Sequence, residues 1–374
     1  MKKRIVYISG SRADFGRIMC LLNLLDKSDE FNLEIIVTGM HLSMEFGNTT
    51  KEIERHFHIN EKVDALLSGD SASAMAKSFG IAVIGISQAL ERIKPDMVIL
   101  LGDRGEMLAG AIAAKHQNIL ISHIGGGDKS GSIDDKIRDA ITVFSDFHFV
   151  ANRKTLNRVL SLGAKAENSF IVGAPDLDVI RQKEYTPIKE LRNKYHIDPD
   201  KPLVLVSYHP VTNEELKNAK NMNILCESLL EMEVPCIITY PNADAGGRQM
   251  IDILNKYKNN KYFSIYPHIS YTDYLGLMSI ATAICGNSSA GIIEAPSFQL
   301  PTVNIGSRQK ERLRAINVID VCELKDEIIK ALNIAIYDKK YRENLKECVN
   351  PYGNGMTSEY IYSHLKKFFN RDAN

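Results

Sequence analysis

The sequence predicts an α/β protein built as two Rossmann-like domains facing a cleft. Three observations carry that reading: short aliphatic runs ending in Gly, Ser or Asp, an amphipathic stretch after each run, and a mid-chain break after which the pattern restarts. All-apolar strands of this kind are buried on both faces of a parallel sheet, and the stretches between them are the crossover helices that such a sheet requires. The first half supplies Arg4 to Ile8, Asn32 to Thr38, Asp96 to Leu101 and Ile119 to His123. Pro175, Pro187, Pro199 and Pro202 then interrupt a charged helical segment, which puts the joint between Gly173 and Lys201. The second series runs Leu203 to Val206, Cys236 to Thr239, Ala281 to Cys285 and Pro301 to Ile305. Near the end, Asn350-Pro351-Tyr352-Gly353-Asn354-Gly355 breaks the chain, and Met356 to Phe369 reads as one amphipathic helix. The expected organisation is therefore a first domain over 1–175, a second over 176–355 and a terminal helix within 356–374.

Length and composition agree with two domains. At ~150 residues per domain, 374 residues are too many for one small module, and 44 % hydrophobic with 25 % charged residues suits full cores. Lys plus Arg (46) balances Asp plus Glu (46), so no global field gathers nucleic acid or anionic membranes, and neither is expected as a partner. The basic start Met1-Lys2-Lys3-Arg4 meets Ser9-Gly10-Ser11 too early for a signal peptide, and no run approaches ~18 uninterrupted apolar residues. Six scattered cysteines without a C-x-x-C pair fit reduced thiols and speak against zinc. The expectation is a cytoplasmic protein without metal or cofactor.

Open parallel sheets bind ligands at the carboxyl ends of their strands, so functional motifs are expected there. The first strand runs into Gly10-Ser11-Arg12-Ala13-Asp14-Phe15-Gly16. Small residues, free helix amides and Arg12 suit a phosphate, although a helix start with Asp14 in its first turn explains part of the run. It is neither a G-x-G-x-x-G fingerprint nor a P-loop. The strand Met97 to Leu101 delivers Gly102-Asp103-Arg104, where Asp103 can move a proton beside a phosphate held by Arg104, or form a plain surface ion pair. After His123 come Gly125-Gly126-Gly127-Asp128, then Ser132, a helix cap, with Asp134 and Asp135 in the first turn. Asp134 reads equally well as a catalytic acid and as a partner of the helix dipole, while Asp135 reads as a dipole partner.

In the second half, Gly286-Asn287-Ser288-Ser289 follows a strand and opens a helix, with Glu294 placed to chelate ribose hydroxyls. His209-Pro210-Val211-Thr212, Pro241-Asn242-Ala243-Asp244-Ala245-Gly246 and Gly306-Ser307-Arg308-Gln309 also follow strands. Basic and small residues gathered at adjacent strand ends make a nucleoside diphosphate the economical ligand. Asp176-Leu177-Asp178 has the look of a metal-binding D-x-D, but after Gly173-Ala174-Pro175 it reads as helix capping. No H-E-x-x-H or G-x-S-x-G occurs.

Taken in order, these motifs resemble the hydrolysing UDP-N-acetylglucosamine 2-epimerases of bacterial sialic acid synthesis and the epimerase domain of the bifunctional animal enzyme. The likeness also takes in Val37-Thr38-Gly39-Met40-His41 and covers nearly the whole chain. It implies a GT-B-like fold, a last helix crossing back to the first domain, and a homodimer or homotetramer. It also implies loss of the C2 proton with departure of UDP from C1, then hydration that inverts C2 and releases N-acetylmannosamine. By motif match Asp103 and Asp134 are the acid/base carboxylates, and Arg12, Arg104, His209, Asn242, Ser288, Ser289, Glu294 and Arg308 hold UDP, with Gly286 and Asn287 in the same loop. The family pattern H-I-E-G-G-E has a catalytic glutamate where this chain has Gly125, and Asp128 stands at its second acid, so Asp128, Asp134 or a water fills the place. The leading substrate is UDP-GlcNAc. The alternatives are UDP-2,4-diacetamido-2,4,6-trideoxyglucose of legionaminic acid synthesis, and a UDP-sugar sensor without turnover.

Overall fold

A computed structural model describes residues 2–43, 49–67, 72–129, 134–211, 215–242 and 246–371, without the side chains of Arg12, Ala13, Ala72, Glu215, Leu216 and Arg371. The chain forms two compact units, one combining Met1–Val179 with Tyr352–Asn374 and the other spanning Ile180–Pro351.

The first unit holds a seven-stranded sheet of β1 (Lys3–Ser9), β2 (Phe31–Thr38), β3 (Glu61–Val63), β4 (Met97–Leu101), β5 (Leu120–Ile124), β6 (Phe147–Val150) and β7 (Ser169–Ile171). Their order is β3-β2-β1-β4-β5-β6-β7 and every pairing is parallel. Alternate residues of one strand serve opposite faces, which is why β1 has no polar side: Ile5 and Tyr7 enter one core, Val6 and Ile8 the other. The first core takes Leu21, Leu22 and Leu25 from helix Arg12–Asp26 and Ile361, Leu365 and Phe369 from the last helix, Thr357–Arg371. The second takes Ile86 and Leu90 from helix Ala72–Ile93 and Met107 from helix Gly105–His116.

The second unit holds a six-stranded parallel sheet of β8 (Val204–Ser207), β9 (Cys236–Thr239), β10 (Phe263–Tyr266), β11 (Ala283–Gly286), β12 (Thr302–Ile305) and β13 (Val318–Val321), ordered β10-β9-β8-β11-β12-β13. Both sheets reverse direction of growth once, between β1 and β4 and between β8 and β11. At such a switch point the connections leave on opposite faces and open a crevice beyond the strand ends. The motifs at Gly10, Gly102 and His209 follow three of those four strands, and the fourth motif begins at Gly286, the last residue of β11.

Asp178 caps a helix, though not its own. Its carboxylate accepts from the Thr357 amide at 2.9 Å, the Ser358 amide at 2.7 Å and the Ser358 hydroxyl, while Asp176 pairs with Arg17 at 2.9 Å. Asp178 therefore satisfies the open first turn of the last helix across about half the chain. Replacing Asp178 with Ala strands those buried amides and is expected to lower unfolding free energy by about 2 kcal/mol, read as a shifted urea midpoint at unchanged slope.

Candidate functional site

The first unit's strand ends are organised around charge. Ser11 caps helix Arg12–Asp26 and forms a capping box with Asp14. Asp14 accepts from the Ser9 hydroxyl at 2.7 Å and the amides of Gly10 and Ser11 at 3.0 and 2.9 Å, yet burial still raises its pKa to about 6. Ser9 also meets His41 Nε2 at 2.9 Å, and burial pushes that imidazole down to about 4, so His41 stays neutral beside Asp14. Arg12 begins the helix, but its side chain lies outside the described residues.

Asp103 and Arg104 are sequence neighbours that point to different partners. Arg104 lies against Glu106, with both contacts at 3.3 Å, whereas Asp103 is bound by Arg138. The guanidinium of Arg138 is buried and also donates to the Asp128 carbonyl at 2.6 Å and the Asp135 carboxylate at 3.0 Å. Asp103 is thus set by Arg138, not by the adjacent arginine. Arg138 received no role from the sequence; its signal was its place four residues after Asp134, one turn along the same helix face. Asp134 sits exposed in the first turn of helix Asp134–Phe144, and Asp128 is half-buried where the glycine turn ends. Ser132, expected to cap that helix, lies outside the described residues.

The glycine turn is shaped by His123, whose Nε2 donates to the Gly102 carbonyl at 2.8 Å and whose Nδ1 meets the Thr142 hydroxyl at 3.1 Å. A Cβ on Gly126 would fall 3.0 Å from that ring, and one on Gly127 only 2.4 Å from the Thr155 carbonyl. Gly125 differs: a Cβ there meets nothing nearer than 3.9 Å, but its φ of +82° strains any side chain. Position 125, where the resemblance leads one to expect glutamate, is open in space and closed by backbone conformation.

In the second unit the hub is an amide. Gly286, at φ +139°, approaches β8 so closely that a Cβ would fall 2.1 Å from the Ser207 carbonyl, so only glycine fits. That approach seats Asn287, 1 % exposed, which accepts from the His209 amide at 2.7 Å and donates to the His209 carbonyl at 2.8 Å. The Asn287 carbonyl in turn accepts from Arg308 at 3.1 Å and Gln309 at 2.8 Å. Burial and the Arg308 charge push His209 down to about 3, so it is neutral at pH 7. Its Nδ1 accepts from the Asn242 amide at 3.2 Å, which leaves the proton on Nε2, 3.3 Å from the Ser207 hydroxyl. Asn242 itself is exposed.

Ser288 caps locally, accepting from the Ala290 amide at 3.3 Å, and Ser289 precedes the short helix Ala290–Ile293. Glu294 ends that helix and is buried, 4 % exposed, where its charge joins burial in raising the Tyr274 phenol. Thr212 and 243–245 lie outside the described residues, and among the described residues no three His, Cys, Asp or Glu side chains gather as a metal site. Sequence reasoning reached Asn287, Ser288, Ser289 and Arg308 but not Gln309 as a partner of Asn287, nor Tyr274 beside Glu294.

The pattern of the UDP-N-acetylglucosamine 2-epimerase family matches residues 23–366. The chain belongs to that family. This epimerase-family chain is 39 % identical over 367 residues to a UDP-N,N'-diacetylbacillosamine 2-epimerase (hydrolyzing) of Legionella pneumophila, covering 98 % of this chain and 96 % of the relative. It is 38 % identical over 323 residues to a GDP/UDP-N,N'-diacetylbacillosamine 2-epimerase (hydrolyzing) of Campylobacter jejuni, covering 85 % and 84 %. Among solved structures, UDP-GlcNAc 2-epimerase from Neisseria meningitidis bound to UDP-GlcNAc superposes with a TM-score of 0.83 at 20 % identity, covering 97 % of this chain and 100 % of that one. At that identity the likeness carries the fold, the paired parallel α/β units of the GT-B-like epimerase structures.

His123 gives the epimerase-family chain a testable acid sensitivity. Burial holds its pKa near 3, whereas an unfolded histidine takes a proton near 6.5, so between those values unfolding binds a proton and stability falls as pH falls. His123→Gln keeps a donor for the Gly102 carbonyl without titrating. From pH 7 to 4.5 wild type should lose about 2 kcal/mol more than this variant in parallel urea titrations; equal losses would mean that His123 is not held neutral.

Proposed function

We propose that the chain is a hydrolysing 2-epimerase that acts on UDP-N,N'-diacetylbacillosamine, that is UDP-2,4-diacetamido-2,4,6-trideoxyglucose. The observation that carries this reading is the 39 % and 38 % identity, over most of both chains, to relatives named for that sugar and for hydrolysis. UDP-GlcNAc is the second reading, favoured by the family's name and by the ligand of the Neisseria structure. Both substrates share UDP and a 2-acetamido group, so the same strand-end residues serve either.

In the proposed reaction a carboxylate takes the C2 proton as the C1–O bond to UDP breaks, leaving a 2-acetamidoglycal. Water then adds its oxygen to C1 while C2 gains a proton on the opposite face, giving the free manno-configured sugar. Asp103, Asp134 and Asp128 are proposed as the acid/base groups. The hold of Arg138 on Asp103 and on the Asp128 carbonyl supports two of them, since one rigid cation orients both segments. Arg12, Arg104, His209, Asn242, Gly286, Asn287, Ser288, Ser289, Glu294 and Arg308 are proposed to bind the nucleotide. For His209 the support is a neutral ring with a proton on Nε2, a donor for a phosphate oxygen.

Incubation with each UDP-sugar, with products read by mass spectrometry, tests the substrate: UDP and a free sugar should appear together, faster from the diacetamido sugar by at least ~10-fold. In D2O the sugar should carry deuterium at C2, and unlabelled sugar would show simple hydrolysis at C1. Asp103→Asn should cut kcat by ~10²–10⁴ while UDP affinity by calorimetry stays within several-fold; near-normal kcat would leave Asp103 only its ion pair with Arg138. Glu294→Ala should weaken UDP binding by about 1–3 kcal/mol, and unchanged affinity would remove Glu294 from the nucleotide.

A further inference from the structure

The second unit has a pocket at the end of its sheet opposite the strand-end motifs. Ala281 and Pro301 line it just before β11 and β12 begin, whereas Ser288 and Arg308 come after those strands end. Its volume of about 610 Å³ is in the range that takes a small organic ligand.

The two walls differ in chemistry. On one side Ala281 and Phe298 are half-buried at the surface of the pocket, over a floor closed by Met278 and Leu300. That side is apolar. On the other side helix Lys339–Asn344 brings Lys339, Arg342 and Glu343 to the pocket, and Lys346 follows in the next turn. Glu343 accepts from Lys346 at 2.7 Å, so those two charges cancel. Lys339 and Arg342 have no carboxylate partner among the described residues. Arg342 is nevertheless held in place, because its Nη1 donates to the carbonyls of Thr282 and Ala335 at 3.2 and 3.1 Å. Its Nε and Nη2 remain for a ligand. Gln299, just after the turn Ala295–Phe298, donates to the Lys346 carbonyl at 3.2 Å and ties the apolar wall to the basic one. The pocket is therefore built before a ligand arrives.

Charge and surface together name the ligand class. Lys339 and Arg342 are three residues apart, so their side chains leave the helix as neighbours, and two uncompensated cations match a phosphate monoester, which carries about −1.5 to −2 at pH 7. A single carboxylate would leave one cation unmatched, and inorganic phosphate would leave the apolar wall in water. We propose that this pocket binds a soluble phosphate monoester with an apolar body, the phosphate on Lys339 and Arg342 and the body against Ala281 and Phe298. The site is separate from the residues proposed for the nucleotide and does not depend on which sugar is the substrate.

Calorimetry of the full chain with 1-naphthyl phosphate, run with and without excess UDP, tests the proposal. A separate titration with UDP alone reads the nucleotide site, so failure there and failure here are told apart. One 1-naphthyl phosphate should bind per chain, with an affinity that UDP changes by less than about twofold, and inorganic phosphate and 1-naphthol should each bind at least about tenfold more weakly. Lys339→Glu, at an exposed position, should weaken the ester by at least about tenfold while UDP affinity and the circular dichroism melt stay as in wild type. No saturable binding of the ester, its displacement by UDP, inorganic phosphate binding as tightly as the ester, or a Lys339→Glu variant of unchanged affinity would each overturn the proposal.

Discussion

One buried guanidinium holds the first unit's strand ends in place. Arg138 reaches from helix Asp134–Phe144 to the Asp103 carboxylate after β4, the Asp128 carbonyl after β5 and the Asp135 carboxylate on its own helix. A charge taken out of water is tolerated only when its donors are used, and here the fork spends them on three separate points of the chain. Asp103 is therefore not an independent surface carboxylate, and the Asp128 segment is held through its backbone carbonyl. Both segments are bound to the same cation, so displacement of either loop costs the other its partner.

The second unit solves the same problem without a buried cation. Asn287 is nearly inaccessible and presents its side-chain oxygen and nitrogen to the backbone N–H and C=O of one residue, His209, while its own backbone carbonyl takes Arg308 and Gln309. An asparagine can bridge two loops in this way because its amide matches the donor and acceptor of a backbone group. Gly286 makes this possible, since only a residue without a Cβ lets the loop pass the Ser207 carbonyl. A neutral His209 follows from the same packing: burial disfavours the charged ring, and Arg308 stands close enough to add to that.

Family membership rests on a match that runs over residues 23–366. The strand-end residues proposed to hold the nucleotide would meet only groups that the candidate UDP-sugars share, and a 4-acetamido or 6-deoxy group on the sugar makes no demand on a diphosphate or uridine site. The motifs at these positions therefore do not separate the two sugars, and the choice between them leans on identity across the whole chain.

The sequence by itself determined the α/β class and the central strands, because buried parallel strands leave uninterrupted aliphatic runs at β1, β2, β4, β8 and β11. The strands β3, β7, β10 and β13 were not legible: they lie at sheet edges, are partly exposed and carry polar residues among the apolar ones, and β6 was missed as well because His148 interrupts its Phe147-His148-Phe149-Val150. The loops that bear the candidate site were singled out too, since glycine, serine and charge after a strand have a direct physical reading. What only the tertiary structure decided was pairing. Asp103 went to Arg138 rather than Arg104, Asp178 went to the last helix rather than its own, and Gly125 took a left-handed backbone. Spacing along a chain constrains neighbours in sequence, while the partner of a buried charge is whichever group the crossovers bring within hydrogen-bond reach, and that is set by the whole fold.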